Sequence, residues 1–364
     1  MKKIMLVFGT RPEAIKMCPL VRELRSRAGL CTVVCVTGQH REMLHGVLSA
    51  FGVSADYDLS IMRQSQTLFD VTGDVLDGMK RVLLRERPDV LLVHGDTTTA
   101  FAAALAAFYL KIPVGHVEAG LRTGDIYSPY PEEFNRQSLS LIAKYHFAPT
   151  ERARENLLRE GREQASVFLV GNTVIDALRC TVRDDFSHPV LDLVGDGRLV
   201  LLTAHRRESL GEPLRRVFRA VRRAVEERED VRLVYPVHMN PAVRSLAHEE
   251  LEGCSRIRLI EPLDTVEFHN FLARCYLVLT DSGGIQEEAP ALGKPTLVLR
   301  DTTERPEGIE AGVARLAGTD EGRVYLELSR LLDDKSLYAA MARSKNPYGD
   351  GFASARIADI LEFL

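Results

Sequence analysis

The sequence has no hydrophobic run long enough to cross a membrane. Its longest apolar stretch, AFAAALAAFYL ending at Leu110, is far below the roughly 18 residues of a membrane span. The apolar run after Lys2 and Lys3 is shorter than the core of about 7–15 residues in a signal peptide, and we interpret it as a first strand. We therefore expect a cytoplasmic protein with no membrane partner.

Motifs for metals and for common cofactors are also missing. The six cysteines form no C-x-x-C pair, which disfavours a zinc site, and several lie in apolar runs, which favours free thiols in a reducing compartment. Neither G-x-G-x-x-G nor G-x-x-x-x-G-K-[ST] occurs, which disfavours a nicotinamide cofactor and a P-loop nucleotide. We expect no metal and no cofactor.

The chain also carries little net charge. Its 47 basic and 51 acidic residues leave a formal charge of -4, which gives no reason to expect a polyanionic partner. The arginine-rich segment EPLRRVFRAVRRAVEERE interleaves acids at three- and four-residue spacing, which predicts a solvated helix face. We expect no nucleic-acid partner.

The sequence does contain a regular alternation of short β-branched runs and helix-period segments. In a chain of 364 residues this pattern predicts an α/β fold with two doubly wound parallel sheets. Turn residues and charges interrupt the pattern after Gly171, so we predict domains over residues 1–171 and 172–364, with the last helix packing back on the first domain. The predicted strands are IMLVF, TVVCVT, VLLVHG, VGHV, YHFAPT, VFLVG, LVLLTAH, RLVYPVH, IRLIEP, YLVLTDSGG and TLVLR.

Ligands bind beyond the carboxyl ends of the strands in such sheets, so the segment after the first strand, GTRPEAIK, is a candidate. Thr10 and Glu13 have the spacing of a capping box, and Pro12 suits a first helical turn. Arg11 and Lys16 oppose the positive end of the helix dipole unless an anion binds there. Either they bind an anion or they are solvated.

The segment DSGGIQEEAP follows the tenth predicted strand and is a second candidate for an anion-binding turn. Ser282 is predicted to cap a helix that begins near Gly284, and the glycines Gly283 and Gly284 would let a bulky oxyanion approach free backbone N–H groups. Glu288 would then either hold a ribose diol or complement the helix dipole. A plain strand-to-helix turn is the alternative.

Several acids are concentrated in GHVEAGLRTGDIYSPYPEEFNRQ, a segment rich in glycine and proline that we predict to be a loop. Asp96, Glu118 and Glu132 lie at or just after strand ends of the first domain and are predicted to point into one cleft. Paired carboxylates in an enclosed site divide acid and base roles. Magnesium binding is the alternative, and the spacing does not exclude it.

Two histidines also follow predicted strands. His205 ends its strand beside Arg206 and Arg207, and in a chain that binds phosphate this position favours a functional role over a structural one. His238 is a weaker candidate.

In a series of motifs the chain resembles the non-hydrolysing UDP-N-acetylglucosamine 2-epimerases of bacteria. The motifs run in unbroken order from residue 4 to about residue 352: FGTRPEAIKMCPL, HGDTTTAFAAALAAFY, GHVEAGLRTGDIYSPYPEEFNR, GNTVIDAL, TAHRRES, YPVHMNP, TDSGGIQEEAPALGKPTLVLRDTTERPE and NPYGDG. The resemblance implies a GT-B fold, in which two Rossmann-like domains close over a UDP-sugar, and a homodimer.

The implied reaction interconverts UDP-GlcNAc and UDP-ManNAc and supplies ManNAc for cell-surface polysaccharide. In this family UDP is eliminated to give 2-acetamidoglucal and is added back after a proton returns to the opposite face of C2. The C2 proton has no adjacent carbonyl to activate it, so its removal needs either a sugar ketone made with nicotinamide or departure of the diphosphate. The sequence has no nicotinamide fingerprint, which leaves elimination.

The resemblance also implies roles for individual residues. Asp96, Glu118 and Glu132 match acids proposed to move the C2 proton, and His205 matches a functional histidine. The implied substrate contacts are Arg11, Lys16, Ser282, Gly283 and Gly284 at the diphosphate, Glu288 at the ribose diol, Phe268 near the uracil and Arg305 from the TTERPE loop.

Some bacterial members bind a second UDP-GlcNAc through a Q-x-x-Q pattern. This chain has Gln39-His40-Arg41-Glu42 there, and Ser65 stands where an arginine precedes QTL. The remaining positions of that site are matched by Gln39, Glu133, Arg206 and His238, which predicts a weakened or altered second site.

Three other functions compete with this one. A hydrolysing epimerase would release free ManNAc and UDP. A GT-B glycosyltransferase would need an acceptor site and has no reason to cluster three carboxylates. A UDP-sugar sensor would bind ligand without exchanging the C2 proton.

Overall fold

The computed structural model describes residues 1–38, 41–63, 65–206 and 209–364. They form two compact units, Met1–Cys180 with Tyr348–Leu364, and Thr181–Pro347. Each unit contains one parallel β-sheet with apolar clusters on both faces, so the predicted class of two doubly wound sheets is confirmed. The assignment of residues 1–171 and 172–364 to separate domains stays a prediction.

The first unit contains a seven-stranded sheet in the order β3-β2-β1-β4-β5-β6-β7. Its strands are β1 (Lys2–Phe8), β2 (Leu30–Val36), β3 (Tyr57–Asp58), β4 (Val90–His94), β5 (Val114–Val117), β6 (Tyr145–Ala148) and β7 (Val167–Leu169). Its helices are α1 (Arg11–Ser26), α2 (Arg41–Ala50), α3 (Leu68–Glu86), α4 (Thr98–Tyr109), α5 (Glu132–Ile142) and α6 (Glu151–Arg159), a 3-10 turn covers Gln164–Ser166, and α7 (Thr173–Thr181) leads out of the unit.

The second unit contains a six-stranded sheet in the order β10-β9-β8-β11-β12-β13. Its strands are β8 (Arg198–Thr203), β9 (Val231–Pro236), β10 (Ile257–Ile260), β11 (Leu277–Thr280), β12 (Thr296–Val298) and β13 (Ala314–Leu316). Its helices are α8 (Pro189–Val194), α9 (Glu212–Glu226), α10 (Pro241–Leu251), α11 (Thr265–Arg274), α12 (Gly283–Ala291), α13 (Pro306–Glu310), α14 (Glu321–Asp333) and α15 (Lys335–Arg343).

The strand order reverses between β1 and β4 in the first sheet and between β8 and β11 in the second. These switch points are where doubly wound sheets bind ligands, because the connections leave the sheet on opposite faces there and open a crevice at the carboxyl ends. The register places His94, the last residue of β4, opposite Val117 on β5. The segments after β1, β4 and β5 therefore emerge side by side.

The core of each unit follows from the alternation of side chains along a strand. In β1, Ile4, Leu6 and Phe8 enter one buried cluster, while Met5 and Val7 enter another on the opposite face. Strands that are buried on both sides must be apolar throughout, which is why they were visible in the sequence.

The chain returns to the first unit through helix α16 (Ala353–Phe363), which packs against α1. Ile357 and Leu361 belong to the same buried cluster as Ile4, Leu6 and Phe8 of β1. The carboxylate of Asp176 accepts hydrogen bonds from the backbone N–H groups of Ala353 (3.2 Å) and Ser354 (2.7 Å), which caps the start of α16.

Two sequence predictions about local structure were wrong or incomplete. The predicted loop ends early, because α5 begins at Glu132. Its prolines, Pro129 and Pro131, precede the helix and do not interrupt it, and carboxylates in a first turn complement the helix dipole. The short strands β3 and β13 were not predicted, since runs of two or three residues carry too little pattern.

Among the described residues, no helix is both long enough and apolar enough to cross a membrane.

Candidate functional site

The turn between β1 and α1 is built around a buried carboxylate, that of Glu13. The predicted capping box is present, since the side chain of Thr10 accepts from the backbone N–H of Glu13 and the Glu13 side chain accepts from that of Thr10. Glu13 also accepts from the hydroxyl of Thr97 at 2.7 Å. The β1–α1 turn and the β4–α4 turn, which carry Arg11 and Asp96, are therefore joined by one carboxylate.

Asp96 lies just after β4, at the switch point. Its Oδ2 lies 2.6 Å from Nη2 of Arg136, and its backbone carbonyl accepts from the side chain of Asn135 at 2.8 Å. Burial raises the pKa of Asp96, the ion pair with Arg136 lowers it, and the negative charges of Glu118 and Glu132 raise it further, with a net upward shift. The three predicted acids are thus brought into electrostatic range of one another.

Glu118 follows β5 directly and has a left-handed backbone, with φ of 65°. A non-glycine residue in this region costs roughly 1 kcal/mol or more, and such strain concentrates at functional sites. Its carboxylate forms a buried ion pair with Nζ of Lys16 and accepts from Nδ2 of Asn172 at 3.3 Å. His94 Nε2 lies 3.7 Å from the same oxygen, Oε2.

Glu132 and Glu133 both lie in the first turn of α5 but have different surroundings. Glu133 is fully buried, and burial raises its pKa; hydrogen bonds from Gln137, Arg136 and the backbone of Thr123 outweigh that effect and lower the pKa overall. Because these donors occupy Glu133, it is part of the frame that holds Arg136. Glu132 is only partly buried.

In the second unit, His205 lies just after β8 and Asp281 just after β11, again at the switch point. His205 Nδ1 lies 3.2 Å from Oδ1 of Asp281, and Oδ2 of Asp281 accepts from the backbone N–H groups of His205 (2.6 Å) and Arg206 (2.8 Å). Burial raises the pKa of Asp281, but the hydrogen bonds from His205 and these N–H groups outweigh it and lower the pKa. An ionised Asp281 therefore orients the imidazole of His205.

His238, just after β9, stacks on His205 with ring centroids 5.2 Å apart. Partial burial and the neighbouring His205 lower the pKa of His238. Its Nδ1 accepts from the backbone N–H of Asn240 at 3.1 Å, which leaves Nε2 as the protonated nitrogen of the neutral ring.

Helix α12 begins at Gly283, with Ser282 at its N-cap position. The predicted cap is therefore correct in position, but the Ser282 side chain makes no capping hydrogen bond within the described chain. A Cβ added at Gly283 would meet no described atom within 4 Å, and one at Gly284 would meet only the Glu288 carboxylate, at 3.5 Å. The N-terminus of α12 thus offers open space beside its backbone N–H groups, as anion sites require.

Three further predicted residues lie on α12, on α11 and at the N-cap position of α13. Glu288 is nearly buried, with Oε2 3.6 Å from Nε2 of His269. Arg305 donates from Nε to the buried Glu287. Phe268 is half-buried against the apolar cluster on its side of the second sheet.

Four residues with evident roles in this geometry were not singled out from the sequence: His94, Arg136, Asn172 and Asp281. Each lies within or next to a motif that was singled out. His94 and Asp281 stand at strand ends, so the rule that ligands bind beyond strand ends would have identified them. Gln39, predicted for a second ligand site, lies outside the described residues. That second site stays a prediction.

Each unit offers a different set of chemical groups. The first holds Asp96 and Glu118 with different cationic partners, the arrangement that lets two carboxylates act as acid and base. The second offers a helix N-terminus and an oriented histidine for an anion. Among the described residues, no group of three or more His, Cys, Asp and Glu is placed to hold a metal ion.

Comparison with known proteins gives a consistent result. The family model described as UDP-N-acetylglucosamine 2-epimerase matches residues 22–362. The UDP-N-acetylglucosamine 2-epimerase of Bacillus subtilis (strain 168) is 58% identical over 361 residues, which cover 99% of this chain and 95% of that protein.

Solved structures of related proteins also match this chain over its whole length. The structure of S. aureus MnaA with UDP is 50% identical, with a TM-score of 0.92, and the match covers 100% of this chain and 96% of that one. The UDP-GlcNAc 2-epimerase of Neisseria meningitidis, bound to UDP-GlcNAc, is 44% identical, with a TM-score of 0.90 and full coverage of both chains. With the two doubly wound sheets, these matches confirm the predicted GT-B fold class.

Proposed function

Because this chain belongs to the UDP-N-acetylglucosamine 2-epimerase family, a family of isomerases, we propose that it interconverts UDP-GlcNAc and UDP-ManNAc without net hydrolysis. The proposed route eliminates UDP and adds it back. A base takes the C2 proton while the anomeric C–O bond breaks, so a C1–C2 double bond forms and the bonding pair leaves with UDP. Return of a proton to the opposite face and attack by UDP at C1 complete the inversion.

The observation that carries this proposal is the pairing of Asp96 with Arg136 and of Glu118 with Lys16 in the first unit. Inversion at C2 needs one group that removes a proton and another that returns one from the opposite face. Two carboxylates whose environments differ satisfy that need. Because the reaction is reversible, each group takes both roles in turn.

The departing diphosphate is assigned to the N-terminus of α12, with Ser282, Gly283 and Gly284, and to His205, Arg11 and Lys16. Preorganised N–H groups and cations stabilise the charge that develops on the leaving oxygen. The uridine is assigned to Glu288 and Phe268, and Arg305 to a contact from its loop. The relatives solved with UDP and with UDP-GlcNAc support this choice of ligand.

The reaction in deuterium oxide tests the proposal. The purified protein is incubated with UDP-GlcNAc, without added metal or NAD, and C2 is followed by proton NMR. We expect deuterium at C2, appearance of UDP-ManNAc, and transient UDP and 2-acetamidoglucal. Accumulation of free ManNAc with an equal amount of UDP would assign the protein to the hydrolysing reaction, and binding without exchange would assign it to a sensor.

We also infer that the protein is a homodimer joined through helices α3, α4 and α5. These helices are neighbours, and they expose large apolar side chains, with Phe69 and Leu84 on α3, Phe108 and Tyr109 on α4, and Leu141 on α5. Apolar side chains clustered on a surface are typical of a protein interface. The partner is assigned as a second copy, as the family resemblance implies.

Sedimentation of the double variant Phe108→Glu/Leu141→Glu tests this assignment. We expect a dimeric wild type and a monomeric variant, while Phe363→Glu, at an exposed position on α16, leaves the dimer intact. A wild type that stays monomeric at micromolar concentration, or a double variant that stays dimeric, would overturn the inference.

A further inference from the structure

His94 is a buried histidine at the carboxyl end of β4, the strand that leads to Asp96. Its residue exposure is 3%. Within the described part of the chain, neither of its ring nitrogens has a hydrogen-bond partner. A buried polar group without a partner is costly, so a residue kept in this state calls for an explanation.

The nearby carboxylate of Glu118 provides an explanation. His94 Nε2 lies 3.7 Å from Oε2 of Glu118, about 0.5 Å beyond the usual upper limit of about 3.2 Å for a hydrogen bond. The same oxygen interacts with Nζ of Lys16 and with Nδ2 of Asn172. The contacts of this oxygen therefore include one cation and two side chains that carry N–H groups.

The low pKa of His94 keeps its ring uncharged, so it can act as a neutral hydrogen-bond donor. Burial lowers its pKa to about 4, with the charge of Glu118 acting in the opposite direction and that of Lys16 in the same direction. The buried His116 on β5 is a further titratable group that interacts with this imidazole. Above about pH 5 the ring is neutral, and it can donate from one nitrogen without neutralising the carboxylate beside it.

We propose that His94 is a positioning residue for Glu118, to which it donates a hydrogen bond from Nε2 when the substrate diphosphate draws Lys16 away. This inference rests on the proposed function, in which Lys16 contacts the diphosphate. A cation beside a carboxylate strongly suppresses its basicity, whereas a neutral donor holds the carboxylate in place and lowers its pKa less. When substrate binds, the contact of Glu118 with Lys16 is replaced by a contact with His94. Glu118 therefore becomes a stronger base only in the substrate complex.

The strained backbone of Glu118 explains why a second support is needed. A left-handed residue is held in its conformation by its surroundings. If Lys16 leaves, Asn172 at 3.3 Å and His94 still lie beside Oε2 and can donate to it. Loss of His94 would leave the carboxylate aimed less accurately at C2.

The variants His94→Phe and His94→Gln test the proposal by steady-state kinetics across pH. Phenylalanine fills the cavity without a donor, whereas the longer amide of glutamine can place an N–H near the position of Nε2. We expect His94→Phe to lower kcat about 10- to 100-fold with KM within about threefold, and His94→Gln to recover much of that loss. The acidic limb of kcat should move to higher pH in His94→Phe, because a carboxylate that loses a donor binds its proton more tightly.

A matched control is His146→Phe on β6, since His146 is also buried and burial also lowers its pKa to about 4. This variant should keep the wild-type pH profile. A reduced kcat in His94→Phe with an unmoved acidic limb would indicate a structural role only and overturn the inference. If the wild type itself produces no UDP-ManNAc, the proposed function fails, and with it the premise about Lys16; a wild type that epimerises beside a fully active His94→Phe refutes this inference alone.

Discussion

Arg136 and Asp96 form an ion pair across 2.6 Å, and the same guanidinium lies 3.0 Å from Glu133. The pair joins the first turns of α5 to the end of β4. A largely buried arginine shared by two carboxylates holds both in place and keeps them from repelling each other. This contact sets where Asp96 points, and the predictions below start from it.

Replacement of the proposed proton-transfer acids should abolish turnover and spare binding. We expect Asp96→Asn and Glu118→Gln each to lower kcat about 100-fold or more, because general acid–base catalysis contributes about 10²–10⁴-fold. UDP affinity should stay within about threefold of wild type, since neither acid is assigned to the nucleotide. The measurements are steady-state epimerisation and UDP titration calorimetry.

The exposed Glu229→Gln, in a turn of the second unit, is the control for that pair and should leave both quantities unchanged. Full turnover in both Asp96→Asn and Glu118→Gln would show that the carboxylates do not move the proton.

Gly283→Ala should weaken UDP binding without unfolding the protein. The added methyl group would meet no described atom within 4 Å, so the free energy of unfolding should change by less than about 0.5 kcal/mol. A diphosphate at the N-terminus of α12 would meet that methyl group, and we expect UDP affinity to fall about fivefold or more. Gly46→Ala, another open glycine, is the control for titration calorimetry. Unaltered UDP affinity in Gly283→Ala would place the diphosphate elsewhere.

Asp281 should make the protein less stable in acid. Its pKa is lowered in the folded state, so the unfolded chain binds the proton more tightly and protonation favours unfolding. The stabilisation is present above the unfolded pKa of about 3.9 and is lost as the pH falls through the lower folded value. We therefore expect the free energy of unfolding to fall less steeply between about pH 5 and pH 3 in Asp281→Asn than in wild type.

Urea unfolding at a series of pH values measures that slope. Asp196→Asn, in an exposed turn of the same unit, should leave the slope unchanged. Equal slopes for wild type and Asp281→Asn would contradict the stabilisation of ionised Asp281 by its hydrogen-bond donors.

The backbone after Glu118 should tolerate no side chain at Gly120. This glycine has φ of 92°, and an added Cβ would lie 2.1 Å from the carbonyl oxygen of Ala153. Gly124 has a similar φ of 89°, but an added Cβ there would meet no described atom within 4 Å. We expect Gly124→Ala to cost about 1 kcal/mol of stability and Gly120→Ala about 3 kcal/mol or more. Denaturant unfolding followed by circular dichroism compares them, and equal losses would show that strain alone, without the clash, sets the cost.

The sequence by itself determined the features that depend on local pattern. Buried parallel strands must be apolar along their length, so eleven of them were visible as runs, and the capping box of Thr10 and Glu13 depends on residues three apart. The rule that ligands bind at strand ends then selected Asp96, Glu118, His205 and the α12 turn before any contact was known.

Only the tertiary structure determined which charged side chains form ion pairs. Lys16 and Glu118 are 102 residues apart, and their pairing depends on β1, β4 and β5 lying side by side at the switch point. The left-handed backbone of Glu118 and the short strands β3 and β13 likewise exist because neighbouring elements hold them. Local propensity is too weak to specify such features, since their free energy comes from contacts between segments far apart in the chain.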